Sequence, residues 1–492
     1  MLGLANLLKY RKTTLIFVLI SCVLYLSFAY DLVRTDITKL LLLYLALFVF
    51  AFQIIKTTGF YFRILVISSI LFRLLFLFAI PNLSQDFYRF IWDGRMILEG
   101  LNPYLYTPDS FIQNGKFPIT QAQELYNGMG ELSASHFTNY PPINQLCFTI
   151  AALFSGKSIL GSVVVMRVLI IVADIGTLYF GKKLLERLRL PSNRIFWYVL
   201  NPFIIIELTG NLHFEGVMIF FLVWSLYLLH SGKWKWAAVV LACSISVKLI
   251  PLMFLPLFFW WFANGKKDLK KNIIANEMKQ SVPNEEISTL RLCSVQAKQV
   301  PHNNILKLIS FYSIIGITTL LLFLPFFSME FINNYSKTVG LWFGNFEFNA
   351  SIYYIAREIG YAITGYNEIT IIGKILPVIT LLIILGFSLF RKNNNITKLI
   401  SVMLLAFTCY LFLSTTVHPW YIATLVILCV FTNYKFPLIW SLVMILSYLA
   451  YIGIGTSDKS ENLWIIALEY LIVFSAFIWE VLLKKQIKIP HI

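Results

Sequence analysis

The segment Ser84-Gln85-Asp86-Phe87-Tyr88-Arg89-Phe90-Ile91-Trp92-Asp93-Gly94-Arg95, running on to Gly100-Leu101-Asn102-Pro103-Tyr104, is the most polar and most patterned part of an apolar chain. It directly follows the apolar run 64–81. Residues 86–99 read as a helix: Ser84 can cap its start, and Gly100 followed by Asn102-Pro103 can stop it. At about 100° per residue, Asp86, Arg89 and Asp93 share one face, and Phe87, Phe90, Ile91 and Leu98 form an adjoining apolar face. An amphipathic helix of this kind lies along a membrane surface. Asp86 falls in the first turn, where the helix dipole favours an ionised carboxylate. A carboxylate facing outward there can take a proton from an incoming hydroxyl. The same pattern also fits an interfacial helix whose charges are merely solvated.

The surroundings of this segment are membrane-like. The chain has 492 residues, 58% hydrophobic and 13% charged, against roughly 25% charged in a soluble domain. Apolar runs recur along its whole length at about the span a bilayer requires. They are 14–30, 40–55, 64–81, 162–180, 195–209, 216–230, 236–247, 250–263, 308–326, 371–389, 399–414, 421–433, 436–454 and 464–483. Several are short enough to be half-helices or re-entrant segments. The expectation is therefore an all-α polytopic membrane protein of about 12–14 transmembrane helices, forming one unit over 1–492 with an amphipathic helix in its first large external loop.

A net charge of +16 would suggest nucleic acid in a soluble chain. Here Lys and Arg gather in alternate loops, as cytoplasmic loops of membrane proteins do, so no nucleic-acid partner is expected. With the N-terminus inside, about 27 of the 40 Lys and Arg fall on the cytoplasmic side. That orientation puts both termini in the cytoplasm, with the chain in a bacterial cytoplasmic membrane. It places 82–142, 209–215, 328–360 and 415–421 outside, together with the turn at Lys248. The charged, Pro-punctuated segment 264–307 reads as a mobile cytoplasmic insert. Lys9, Arg11 and Lys12 before an apolar run resemble a signal peptide, but the weak Ser27-Phe28-Ala29 cleavage signal favours a retained first span. The six cysteines form no CxxC pair, so neither a disulfide framework nor a zinc site is expected.

The motifs resemble a known family. The string from Asp86 to Arg95 with Gly100-Leu101-Asn102-Pro103-Tyr104 is similar to the first external loop of GT-C-fold glycosyltransferases. The nearest branch is the bacterial polyprenol-phosphate-mannose-dependent mannosyltransferases, with the eukaryotic GPI mannosyltransferase I more distant. The resemblance continues in order through Asn139-Tyr140-Pro141-Pro142, Asn201-Pro202, Glu207 to Glu215, Val247 to Pro251, Phe348-Asn349-Ala350-Ser351 and His418-Pro419-Trp420-Tyr421. It implies a GT-C-like bundle and transfer of a hexose, most plausibly mannose, from a polyprenyl-phosphate donor to a glycan or glycolipid acceptor on the extracytoplasmic side. It implies inversion at the anomeric carbon, with Asp86 in the place of the family's catalytic acid residue. The 264–307 insert lies outside the pattern.

Such a reaction needs a carboxylate to take the acceptor proton, assigned to Asp86, and a cation to meet charge growing on the leaving phosphate. Lys248 is the first candidate cation, because a charge between two apolar runs is costly and usually functional; it could instead snorkel to the surface. Arg89 and Arg95 are alternatives with structural or acceptor-side roles. Asp93 could bind acceptor hydroxyls or pair with Arg89. His213 and Glu215, in a short outer turn, could hydrogen-bond sugar or phosphate, or simply be solvated. Tyr140, His418 and Asn349 complete the candidate substrate-binding set. No Asp-x-Asp or Asp-x-Glu pair occurs at 84–95, so no obligatory metal or other cofactor is expected. A transporter or flippase of lipid-linked sugars is the main competing class; Arg73 and Arg167, in or near spans, favour it, whereas the lack of internal repeats does not. A surface-glycan ligase or polymerase would share the lipid-linked substrate but would not require the Asp86 string.

Overall fold

In hydrocarbon every backbone N–H and C=O must be satisfied within the chain, which leaves the helix as the natural form for long apolar runs. The structure, a computed structural model, describes residues 12–58, 61–264, 302–344, 346–451 and 461–484. Among the described residues there is no strand, only one isolated bridge between Phe348 and Thr416. The body of the proposed 264–307 insert lies outside the described residues, as do Lys9 and Arg11.

The helices are α1 (Lys12–Tyr30), α2 (Ile37–Thr58), α3 (Phe62–Leu74), α4 (Asp86–Leu98), α5 (Pro108–Ile112), α6 (Ala122–Ala134), α7 (Pro142–Ser155), α8 (Ile159–Arg187), α9 (Pro202–Gly210) and α10 (Glu215–His230). They continue with α11 (Trp234–Ile245), α12 (Ile250–Ala263), α13 (His302–Phe323), α14 (Met329–Gly344), α15 (Ile352–Thr364), α16 (Ile369–Phe390), α17 (Ile396–Leu413), α18 (Pro419–Val430), α19 (Phe436–Leu449) and α20 (Leu463–Ile478). Seven helices among the described residues are long and apolar enough to cross a membrane, or eight if the bent pair α9–α10 counts as one span. The expected 12–14 is reached only by counting shorter apolar helices such as α7, α11, α12, α18 and α19. The chain is an all-α, multi-pass membrane protein.

One expectation changes. The run 64–81 is helical only to Leu74 and then unwinds into turns. Within 82–142, α5 packs on α6, and α4 packs against α6 and α7. α4 is therefore largely enclosed by protein. Nine of its thirteen residues are buried, charged ones included. Its closest approach is to α7, where a Cβ on Gly94 would sit 2.3 Å from the carbonyl oxygen of Phe148. Only glycine permits that separation, and Phe90 stacks on Phe148 at 4.6 Å beside it.

The region that positions the site is the break between α9 and α10, which bend by 115°. Asn201 caps the start of α9 by accepting the N–H of Phe203 at 3.0 Å, and Pro202 occupies the first turn, where its missing N–H costs nothing. The far end of α9 widens into a π-turn over 205–210. Leu212 then adopts a left-handed φ of 62°, a strained conformation for a non-glycine residue. The carbonyls left open at the break meet Arg167 of α8, which donates to Thr209 O at 2.8 Å and Gly210 O at 2.9 Å, and also to Leu77 O, in the turns after α3, at 3.0 Å. A cation at the C-terminal end of a helix also suits its dipole.

Candidate active site

Five chain segments meet at Asp86. The first is the start of α4. Asn82 donates to Phe28 O at 2.7 Å, and Leu83 N–H donates to Asn211 Oδ1 at 3.3 Å, so the approach to α4 is sewn to α1 and to the α9–α10 break. The Asp86 N–H donates to Ser84 Oγ at 3.3 Å, although the N-cap position itself falls to Gln85, whose side chain makes no capping bond. The second segment is the break itself, carrying His213 and Glu215. The third is the tight turn between α11 and α12, carrying Lys248; it is held by the Ile143 N–H, which donates to Ser246 O at 2.8 Å. The fourth is His418 with the first turn of α18, which carries Trp420 and Tyr421, and the fifth is the segment before α7, carrying Tyr140.

Their polar atoms form one electrostatic unit. Lys248 Nζ lies 3.1 Å from Glu215 Oε1, with Glu215 fully buried and Lys248 19% exposed. The same ammonium sits 4.9 Å over the ring of Tyr140, a cation–π contact. Asp86 is half-buried. Burial lifts its carboxyl from 3.8 to about 6, Glu215 pushes in the same direction, and Lys248 and Arg34 oppose it. The imidazole of His213 stacks on Trp420 at 3.7 Å, and His418 stacks on the same indole at 4.6 Å. Burial, reinforced by the Lys248 charge, pushes His418 down to about 3, so it is a neutral ring near pH 7. The arrangement combines a carboxylate poised to titrate just below neutrality, a partly exposed ammonium and two ring nitrogens within an aromatic wall. That set can move a proton and meet a phosphate.

The structure separates the candidate residues into two groups. Asp86, Tyr140, His213, Glu215, Lys248 and His418 converge. Arg89 and Asp93 do not present themselves to an acceptor. Arg89 Nε donates to Asp93 Oδ1 at 2.8 Å with both side chains buried. Its Nη1 also donates to Ser133 O and His136 O, and Gln145 Nε2 donates to Asp93 Oδ2 at 3.0 Å. Of the two readings open for Asp93, pairing with Arg89 is the one present. The reason is that 133–145 folds back over the polar face of α4, and charges enclosed there need partners. Arg95 likewise donates to Thr120 O at 2.6 Å. Asn349 turns away from Asp86: its N–H donates to both oxygens of Glu461 at 3.0 Å, its Nδ2 to Glu469 Oε1 at 3.3 Å, and its carbonyl accepts from Tyr470 at 2.7 Å. With φ of 46° it is a hinge fastening the 346–351 turn to α20.

Glu207 was assigned no role from sequence. Its carboxylate accepts from Tyr448 at 2.7 Å and Asn211 at 3.5 Å, and lies 3.9 Å from His213 Nε2. It ties the break to Tyr448, beside the ring of His213. The signal was present, since an acid inside the run Ile204-Ile205-Ile206-Glu207-Leu208 is costly in a membrane unless used. Trp420 looked like an ordinary interfacial aromatic, and nothing local marks it as the plate between two histidines. Among the described residues no three His, Cys, Asp or Glu side chains converge as metal ligands would.

Comparison with known proteins adds an independent observation. Residues 21–264 match the model of a family described as alpha-(1->6)-mannopyranosyltransferase, N-terminal domain. The chain is 24% identical over 212 residues to alpha-(1->6)-mannopyranosyltransferase A of Corynebacterium glutamicum, covering 42% of this chain and 41% of that protein. It is 20% identical over 185 residues to the protein of the same name from Mycobacterium tuberculosis, covering 37% of this chain and 34% of that one. The matched part is thus well under two thirds of either relative. The likeness to bacterial GT-C-type mannosyltransferases inferred from the motifs is borne out by these matches. The family-matched stretch contains Asp86, Tyr140, His213, Glu215 and Lys248; His418 lies beyond it.

Proposed function

We propose that this chain, similar over residues 21–264 to the alpha-(1->6)-mannopyranosyltransferases, is a membrane mannosyltransferase that moves mannose from a polyprenyl-phosphate donor to a glycan or glycolipid acceptor on the extracytoplasmic side. The observation that carries the reading is the convergence of Asp86 with the Lys248–Glu215 pair inside the family-matched stretch. Arg73 and Arg167 no longer favour a transporter. Arg73 pairs with Asp174 at 2.7 Å and donates to Val199 O at 2.7 Å, and Arg167 caps the α9 break, so both are structural.

In the proposed reaction the acceptor hydroxyl attacks the anomeric carbon while the bond to the lipid phosphate breaks. The hydroxyl proton passes to the Asp86 carboxylate. Negative charge grows on the departing phosphate, where Lys248 meets it. Glu215 holds the ammonium in place, and the two neutral imidazoles supply hydrogen bonds to sugar or phosphate oxygens. One displacement inverts the anomeric carbon, so an alpha product requires a beta-linked donor.

The test is mannosyl transfer by purified protein in lipid, with polyprenyl-phosphate mannose as donor and membrane glycolipid as acceptor. Asp86→Asn is expected to lose about 10²–10⁴-fold in rate, the usual contribution of a general base. Transfer that survives intact in Asp86→Asn overturns the base assignment, and transfer from a nucleotide sugar alone overturns the donor class.

A further inference from the structure

The end of the bundle opposite Asp86 carries a second feature that the transfer reaction does not use. Helix α17 is 18 residues long, about 27 Å at 1.5 Å per residue. One of its ends leads into the His418 loop; the other, at Thr397, Lys398 and Ser401, lines a cavity of about 820 Å³. The remaining wall comes from the connection before α9, the α16–α17 loop, the α18–α19 loop and the end of the last helix. Arg194, Arg391, Lys392, Lys398, Lys435 and Lys484 all line it, against a single carboxylate among the described residues, Glu480. That carboxylate is committed: it accepts the backbone N–H groups of Lys435 at 2.6 Å and Phe436 at 2.8 Å. No salt bridge to any of the six cations is present among the described residues.

Solvated basic loops are ordinary at one membrane face, so charge alone does not make a site. The second observation is Asn393. It lines the cavity and is fully buried, yet neither its Nδ2 nor its Oδ1 has a hydrogen-bond partner among the described residues. A buried amide left open at both ends is expensive unless a ligand fills it. Its donor and acceptor, flanked by two guanidinium groups and four ammonium groups, match a phosphate ester that also carries a hydroxyl.

We propose that this cavity is a binding site for a phosphate headgroup, supplied by an anionic membrane lipid. The ends of membrane-spanning helices come to the headgroup layer of a bilayer, and the volume of about 820 Å³ admits a headgroup rather than a single ion. The site is independent of the transfer chemistry at Asp86.

Native mass spectrometry of full-length protein, released from nanodiscs of phosphatidylglycerol or phosphatidylcholine, tests this. Wild type is expected to retain phosphatidylglycerol. Arg391→Gln/Lys398→Gln is expected to weaken retention about tenfold or more, from loss of two cations near an anionic surface. Lys182→Gln/Lys183→Gln, which removes two cations outside the cavity, is expected to retain it as wild type does. Asn393→Asp, nearly isosteric, puts a carboxylate in the cavity and is expected to weaken retention as well. A parallel thermal-shift titration with inorganic phosphate separates the sources: stabilisation of wild type by phosphatidylglycerol alone supports the lipid headgroup, whereas equal stabilisation by millimolar phosphate overturns the lipid source. Equal loss of retention in the cavity and control variants overturns the site.

Discussion

A carboxyl group that titrates near 6 is a base matched to neutral pH, strong enough to accept a proton and still ionised most of the time. Asp86 reaches that value mainly by burial. Because the carboxylate is the working form, kcat/KM is expected to rise with pH through about 6 and level off above it. A pH–rate profile of the purified protein checks this, and a flat profile between pH 5 and 8 would count against Asp86. The sign for stability is opposite. The raised value means that ionisation costs the fold, so the Asp86 contribution is full below the ordinary carboxylate range and is lost as pH rises through about 6. Asp86→Asn should therefore lose activity without losing thermal stability. For Lys248, replacement by Met is expected to lower the rate by about 10²–10³-fold through loss of charge stabilisation, and Lys248→Arg to restore part of it in the same assay. The pairing of Arg89 with Asp93 shows the reach of residue-level reading. Helical spacing placed them together, but that the pair would be enclosed depended on 133–145, which no local pattern announces.

At the level of elements, two contacts set where Asp86 stands. The first is the close crossing of α4 and α7 at Gly94. Gly94→Ala places a methyl group 2.3 Å from Phe148 O, so the helices must separate, at an expected cost of about 1–3 kcal/mol. Thermal unfolding should register that cost, and transfer should fall with it because α4 moves as a unit. The second is the capping of the α9–α10 break by Arg167. Arg167→Leu leaves the two buried carbonyls of Thr209 and Gly210 without this donor, each costing about 1–3 kcal/mol if unpaired, and is expected to reduce the folded yield in detergent more severely than any change at the Asp86 cluster. The existence of α4, its ends and its glycine were legible from the pattern Asp86–Gly100. Its burial was not, because an amphipathic helix of thirteen residues looks alike whether its apolar face meets lipid or protein. The break at 211–214 was read as a short turn between two spans. Its 115° bend is met by Arg167, some forty residues earlier in the chain, which donates to the carbonyls there.

For the whole molecule, the loops carrying Asp86, His213, Lys248 and His418 gather at one end, and those carrying Arg194, Arg391, Lys435 and Lys484 at the other. The orientation proposed from the charge pattern puts the first end outside. Single cysteines placed at exposed Gln113 and exposed Lys233, in a chain freed of its own six, test this. In intact cells an impermeant maleimide is expected to label Gln113→Cys and to reach Lys233→Cys only after permeabilisation. Membrane residence, helical architecture and the likeness to mannosyltransferases all followed from composition, run length and ordered motifs, because each depends on neighbours in the chain. Which charges face the acceptor and which are enclosed, that Trp420 separates two histidines, and that six cations share one cavity with an unpaired Asn393 depended on segments up to about three hundred residues apart. Such convergence is set by which helix faces pack together, and packing is a property of the folded bundle rather than of any stretch within it.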